Sequence, residues 1–200
     1  MTEVPKLDWQ TKTIIILIAG RAGTGKTTTA NLIKKNLPEC YSKFSVISSF
    51  ASMVKAVAKF MGWNGEKDTK GRKLLQGIGN LGREYDNDAW IELLIKGIED
   101  TFITPLDFII IDDWRFPNEG KWFIKHSDEY DIYTIRIYAP SREILKNTPE
   151  YNDVSETSLS EDSREYDWWV NNEGTMEELE EKVKMIIDQI LEIETEESDV

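Results

Sequence analysis

The run Thr13-Ile-Ile-Ile-Leu-Ile-Ala19 is apolar at every position after its first. An unbroken β-branched stretch of this length predicts a strand covered on both faces, as in the middle of a parallel sheet. From Lys26 to Leu37 the apolar positions take up a helical period, and Pro38 ends it. Phe44 to Ser49 predicts a second strand, leading into a helix with Met53, Val57 and Phe60 in phase. Arg72 to Gln76 reads as helical. Trp90, Ile91, Leu94, Ile95 and Ile98 then share one face of a further helix, capped at Asn87 or Asp88. Phe108 to Ile111 is the next buried strand, ending in Asp112-Asp113, and Ile132 to Tyr138 is a strand of alternating character. Asp167 to Val170 makes a short last strand. The terminal helix opens on a Thr175-x-x-Glu178 capping box and carries Leu179, Val183, Ile186, Ile187 and Ile190 as its stripe. Strands spaced by helices imply an α/β fold in three layers, with a parallel sheet of about five strands between crossover helices. Ligands of such sheets bind at the carboxyl ends of the strands.

The 200 residues fit a single domain. Residues 1–12 form an extension, 141–164 a polar, lid-like segment broken by Pro149, and 192–200 an acidic tail. The tail, from Glu192 to Asp199, reads as solvated and frayed. Lysine and arginine number 24 against 37 aspartates and glutamates, a net charge of −13. A chain so acidic is not held to nucleic acid by counterion release, although arginines focused in a cleft still suit a small phosphorylated ligand. The apolar runs fall well short of the roughly 20 residues a membrane helix needs, so no membrane partner is expected. Met1 to Gln10 carries Glu3, Lys6 and Asp8 where a secretory signal would be apolar, which points to the cytoplasm. Cys40 is the only cysteine and His126 the only histidine, excluding an internal disulfide, a cysteine-built zinc site and a histidine metal cluster.

The chemistry is concentrated in Gly20-Arg21-Ala22-Gly23-Thr24-Gly25-Lys26-Thr27, a full match to G-x-x-x-x-G-K-[ST] between a strand and a helix. Chance produces this pattern in roughly one chain of this length in a hundred, and the strand-helix context lowers that further. Glycines let backbone amides turn toward phosphate oxygens, the helix N-terminus adds positive potential, Lys26 reaches the outer phosphates and Thr27 can ligate Mg²⁺. ATP with Mg²⁺ is the expected pair, held by Gly20 to Thr28. A second glycine run, Gly77-Ile-Gly79-Asn-Leu-Gly82, matches G-x-G-x-x-G only formally, because no strand precedes it; it reads as a bend between two helices. No Asn-Lys-x-Asp segment points to guanine reading, and an Asp-Asp pair stands where a mechanochemical ATPase has Asp-Glu. An aspartate at that strand end suits the metal, with Asp112 and Asp113 both candidates. Phosphoryl transfer between two anions also needs planar cations. Arg72, Arg83, Arg115, Arg136, Arg142 and Arg164 lie outside the loop, and Arg115 follows a strand end where the cleft belongs. Arg136, inside a strand, is as well read as a solvent-facing alternate residue.

Several segments together resemble the phage-type deoxynucleoside monophosphate kinases. These are the loop, Ser49-Phe50-Ala51 with Lys55, Arg72-Lys-Leu-Leu-Gln76 with Gly79 and Arg83, Trp90, Asp113-Trp-Arg-Phe-Pro-Asn-Glu119, Ser155-Glu156, and Asn172-x-Gly174-Thr175. The resemblance covers nearly the whole chain. It implies ATP-dependent phosphorylation of a deoxynucleoside monophosphate, with Lys26, Asp113 and Arg115 catalytic and Thr27 and Asp112 at the metal. It further implies Phe50, Lys55, Arg72, Gln76, Arg83, Asp113, Trp114 and Arg115 around the acceptor, with Trp114 a candidate for stacking. Two positions depart from the family. Asp153 stands where a histidine usually precedes the Ser-Glu pair, and an arginine often found where the strand meets Ala139 is missing. Arg142 or Arg164 then becomes the candidate lid cation. Two other readings stay open: a kinase of the dephospho-coenzyme A or phosphomevalonate type, and a nucleotide-binding protein without catalysis. A homodimer, and the host cytoplasm if the chain is phage-encoded, are compatible with all of them.

Overall fold

The computed structural model describes residues 12–159 and 166–198. Thr13–Ala19 forms β1, and all its residues after Thr13 are buried. A strand with no polar face must be covered on both sides, and β1 accordingly lies in the middle of a five-stranded sheet ordered β2-β3-β1-β4-β5. Its partners are β3 (Phe108–Trp114) and β4 (Tyr130–Tyr138), both parallel to it, and β5 (Trp168–Asn171) adds to β4 in the same sense. Ser45–Ser48 forms the edge strand β2. The expected α/β fold, a five-stranded parallel sheet flanked by helices, is the fold observed.

The chain divides into two compact units, one made of the residues up to Ile47 and from Thr104 onward, the other of Ser48–Ile103. In the first, α1 (Lys26–Asn36) and α8 (Met176–Ser198) pack together with β1. Ile14, Ile16 and Ile18 meet Ala30 and Ile33 of α1 and Val183, Ile186, Ile187 and Ile190 of α8. Each of these isoleucine and valine side chains contributes about 1.5–3 kcal/mol when fully buried, so this layer anchors the loop joining β1 to α1. Between them come the short α2 (Glu39–Ser42) and, after β3, α6 (Pro117–Lys125), which sequence periodicity does not reveal. Phe123 of α6 packs edge-on against Tyr130 at the start of β4. The short α7 (Val154–Thr157) lies between β4 and β5.

The second unit holds three mutually packed helices, α3 (Phe50–Phe60), α4 (Thr69–Tyr85) and α5 (Ala89–Thr101). The glycine run from Gly77 to Gly82 is not a bend between helices, because it lies within the continuous α4. Its glycines serve close packing instead. The Trp90 indole N–H donates to the Gly79 carbonyl at 3.0 Å, and a methyl group on Gly82 would come within 2.5 Å of the Trp90 ring.

The acidic tail is likewise not frayed as far as it is described, since α8 continues to Ser198. Glu194, 5% exposed, accepts a hydrogen bond from the Tyr133 hydroxyl at 2.8 Å, which ties the end of the helix to β4. The capping box at its start is present in both directions. The Thr175 amide donates to Glu178 at 3.2 Å, and the Glu178 amide donates to the Thr175 hydroxyl at 3.3 Å. Among the described residues, no helix is long and apolar enough to cross a membrane.

Candidate phosphate-binding site

The loop from Gly20 to Thr27 leaves β1 at its carboxyl end and enters α1 through Gly25, whose backbone is left-handed at φ 104°. A side chain there would be strained and would also strike the amide of Asn172. Asn172 is the buttress of the loop. Its side-chain N–H donates to the Thr24 carbonyl at 2.8 Å, and its own oxygen accepts from the Arg142 guanidinium at 3.2 Å. Thr24 closes the turn internally through a hydroxyl that donates to the Arg21 carbonyl at 2.8 Å. The first-turn amides of α1 have no acceptor within the helix and carry its positive end, which favours an anion.

Lys26 folds back over this loop and donates to the carbonyls of Gly20 and Arg21 at 2.7 and 2.9 Å. Only 8% of it is exposed, and this burial, with the nearby Arg115 guanidinium, pushes its ammonium down to about 8. Glu156, Asp113 and Asp112 act in the opposite sense and place three carboxylates around the same cation. Beside it the Thr27 hydroxyl donates to Asp112 at 2.5 Å. Both are hard oxygen donors, and among the described residues no group of three or more His, Cys, Asp or Glu is placed to hold a metal ion by itself. A hydroxyl and one carboxylate fit Mg²⁺, an ion that keeps several waters and completes its octahedron with phosphate oxygens.

Strand β3 runs three residues past the predicted end, so Asp112 and Asp113 lie within the strand, near its carboxyl end. The segment after it is held by Glu119, a buried residue in the first turn of α6 that accepts from the amides of Arg115 and Phe116 at 2.8 and 2.9 Å. Pro117 at the first helical position and Glu119 two residues later are the sequence signal for this helix, which the expected elements omit. The Arg115 guanidinium donates to the Ser155 carbonyl at 3.2 Å and pairs with Glu156. Burial opposes its charge, but Glu156 and Asp113 overcome that and hold it above the usual arginine value.

Residues of the segment after β4 cover the loop. The Ile144 amide donates to the Ala22 carbonyl at 3.1 Å, and the Arg21 guanidinium donates to the Tyr151 carbonyl at 3.1 Å while lying 4.0 Å from the centre of that tyrosine ring. Glu156 of α7 accepts from the Ala22 amide at 2.9 Å. Sequence reasoning groups Glu156 and Asn172 with the family motifs and gives neither a role.

Other expected positions fall differently. Trp114 is buried at 5% exposure, edge-on to Tyr166, with its indole N–H donating to the Phe116 carbonyl at 2.9 Å, an environment of packing rather than of an open stacking face. Arg136 is not solvent-facing: it is buried, donates to the Leu159 carbonyl at 3.3 Å and lies near the Tyr166 ring. Arg142, a lid candidate, donates to the side-chain oxygen of Asn172 and to the Gly174 carbonyl. Arg164 lies outside the described residues. In the second unit Arg72, Gln76 and Arg83 stand at spacings of four and seven along α4, hence on one side of it. Lys55 is half-buried on α3, where Phe50 is buried.

No family model matches the sequence, and no curated protein does. Solved structures do. TT1252 from Thermus thermophilus aligns with a TM-score of 0.52 at 17% identity, over 89% of this chain and 98% of its own. A putative kinase from Chloroflexus aurantiacus gives 0.52 at 16% identity over 90% and 98%. A gluconokinase from Sinorhizobium meliloti gives 0.50 at 11% identity over 94% and 98%. At such identities the likeness establishes the fold alone, an α/β sheet whose central strand leads through a glycine-rich loop into a helix.

Proposed function

We propose that the chain transfers the γ-phosphoryl group of ATP to the phosphate of a deoxynucleoside monophosphate, giving the diphosphate and ADP. One observation carries this reading. Loop amides, the Lys26 ammonium, the Thr27–Asp112 pair and the Arg115 guanidinium converge at the carboxyl ends of β1 and β3. One anion-binding loop and a separate guanidinium suit a reaction that joins two phosphates. The fold shared with a gluconokinase and a putative kinase supports phosphotransfer in general, and the Asp113 to Glu119 run and the Arg72 to Gln76 run support the nucleotide acceptor.

In this reading an acceptor phosphate oxygen forms a bond to the γ-phosphorus as the bridging bond to the β-phosphate breaks, and ADP leaves with that electron pair. A phosphate nucleophile is already anionic near pH 7, so the protein needs no strong base. Its work is alignment and charge neutralisation. Gly20 to Thr28 hold the donor, Lys26 neutralises charge on the transferring group, and Arg115 orients the acceptor phosphate. Asp113 favours the charged form of both cations. Mg²⁺, when bound at Thr27 and Asp112, supplies further neutralisation on the phosphate oxygens. Phe50, Lys55, Arg72, Gln76 and Arg83 are assigned to the acceptor through the family resemblance. Substitution of each of these should raise the acceptor KM more than it lowers kcat. The segment from 141 to 164 acts as a cover that keeps water from competing as acceptor.

The test is a coupled ADP assay with MgATP and eight acceptors, the four deoxynucleoside and four ribonucleoside monophosphates, with gluconate and dephospho-coenzyme A alongside. The reading expects turnover with at least one deoxynucleoside monophosphate. Turnover with gluconate or dephospho-coenzyme A alone would move the chain to another class of small-metabolite kinase, and ATP binding without any turnover would mark a nucleotide-binding protein.

A further inference from the structure

Glu156 occupies a position that the chemistry of the loop reserves for an anion. One carboxylate oxygen accepts from the amide of Ala22, inside the phosphate-binding loop, at 2.9 Å. The other pairs with the guanidinium of Arg115. Its side chain is 5% exposed against 29% for that of Arg115, so the carboxylate, rather than solvent, fills the space between amide and cation. It also contributes to holding the charge on Lys26. A carboxylate bound by a loop amide and a guanidinium, beside an ammonium, reproduces the contacts of a phosphate oxygen. Glu156 reaches this position from α7, and the Arg21 to Tyr151 and Ile144 to Ala22 bonds hold neighbouring parts of the same segment against the loop.

The geometry points to Glu156 as an internal phosphate mimic that latches the segment over the loop, a latch opened when a substrate phosphate displaces the carboxylate. Two anions cannot share one amide and one guanidinium without strong repulsion, since desolvated like charges at contact disfavour each other by far more than either hydrogen bond returns. An incoming phosphate therefore drives the carboxylate out, frees Arg115 to take the phosphate, and loosens α7 from the loop. While the carboxylate is in place it keeps the Arg115 charge paired, and access to the loop is coupled to the position of the segment. This inference rests on the reading of Gly20 to Thr27 as a phosphate cradle and adds to it the regulation of that site.

The probe is inorganic tripolyphosphate, titrated calorimetrically into the full chain and into Glu156→Gln, with Glu156→Asp as a second variant that keeps the charge but shortens its reach. A mimic competes with the ligand, so both substitutions should tighten binding, Glu156→Gln by about tenfold, the low end of what a hydrogen bond to a charged group is worth. A residue that merely braces the loop gives the opposite sign: weaker binding in both variants overturns the proposal, as does unchanged binding. A measurement on the unaltered chain needs no variant to fold. Hydrogen exchange of the amides of residues 153–157 should rise on adding tripolyphosphate; a fall or no change contradicts displacement. If neither the unaltered chain nor Glu156→Gln binds tripolyphosphate, the cradle reading itself fails and the latch falls with it.

Discussion

The affinity of the chain for MgATP should fall with rising pH along the titration curve of one group near pH 8. Burial in the loop, with Arg115 close by, holds Lys26 below the value of 10.5 it has in the unfolded chain, to about 8. A bound triphosphate reverses the balance, because its charge favours the ammonium form. Free protein thus loses the proton near pH 8 while the complex retains it. The dissociation constant then scales as one plus the ratio of neutral to charged lysine, a factor of about 1.1 at pH 7, about 2 at pH 8 and about 11 at pH 9. Binding at pH 8 should take up about half a proton. The phosphates of MgATP are fully ionised across this range, so the ligand adds no titration of its own. Isothermal calorimetry at several pH values, in pairs of buffers with different ionisation enthalpies, reads both quantities. Affinity constant within a factor of two from pH 7 to 9.5, or no proton uptake at pH 8, would refute the reasoning about Lys26.

The same shift has a consequence for stability. Between about pH 8 and 10.5 the unfolded chain binds more protons than the folded one, so the lysine's unfavourable contribution is fully present below pH 8 and disappears as pH rises to 10.5. That contribution is about 3 kcal/mol at neutral pH, while the two hydrogen bonds to loop carbonyls return about 1 kcal/mol each. Lys26→Met should therefore be about 1 kcal/mol more stable than the unaltered chain at pH 7 in urea denaturation, and lose that advantage by pH 10.5. Asn172→Ala removes the donor to the Thr24 carbonyl and the rest for Arg142; we expect a loss of about 1–3 kcal/mol in stability and a weaker MgATP affinity, measured by denaturation and calorimetry. Gly82→Ala gains up to about 1 kcal/mol of helix propensity but must displace a Trp90 ring that the Gly79 carbonyl holds. Overpacking of about 1–3 kcal/mol wins, so the variant should be less stable, whereas a gain in stability would show that α4 and α5 pack more loosely than described.

Much of the fold is legible in the sequence because its signals are local. An apolar run with no polar face announces β1, and glycines at fixed spacing before Lys26 announce the loop that follows it. The Thr175 and Glu178 pair marks the start of α8 to the residue. Where local signals mislead, tertiary packing decides. The glycines from Gly77 to Gly82 suggest a break in isolation, yet Trp90 fits against them and the helix continues. Glu-rich composition suggests a frayed tail, yet Ile190 and Glu194 anchor it through the core and Tyr133. The site divides in the same way. Lys26, Thr27, Asp112 and Arg115 are brought together as the motif and strand ends imply. Glu156 and Asn172 come from 130 or more residues beyond the loop they touch, and no spacing rule links them to it. Arg136 and Trp114 show the reverse, side chains whose type suggests a ligand and whose burial gives them packing to do.

The central claim is that the loop amides and the ammonium of Lys26 hold a triphosphate. Equilibrium binding of MgATP to the unaltered chain and to folded Lys26→Met at pH 7 tests it most directly. The account predicts saturable binding by the former and a loss of about a hundredfold in the latter, the worth of two charge-assisted hydrogen bonds. Equal affinity in the two proteins would contradict it.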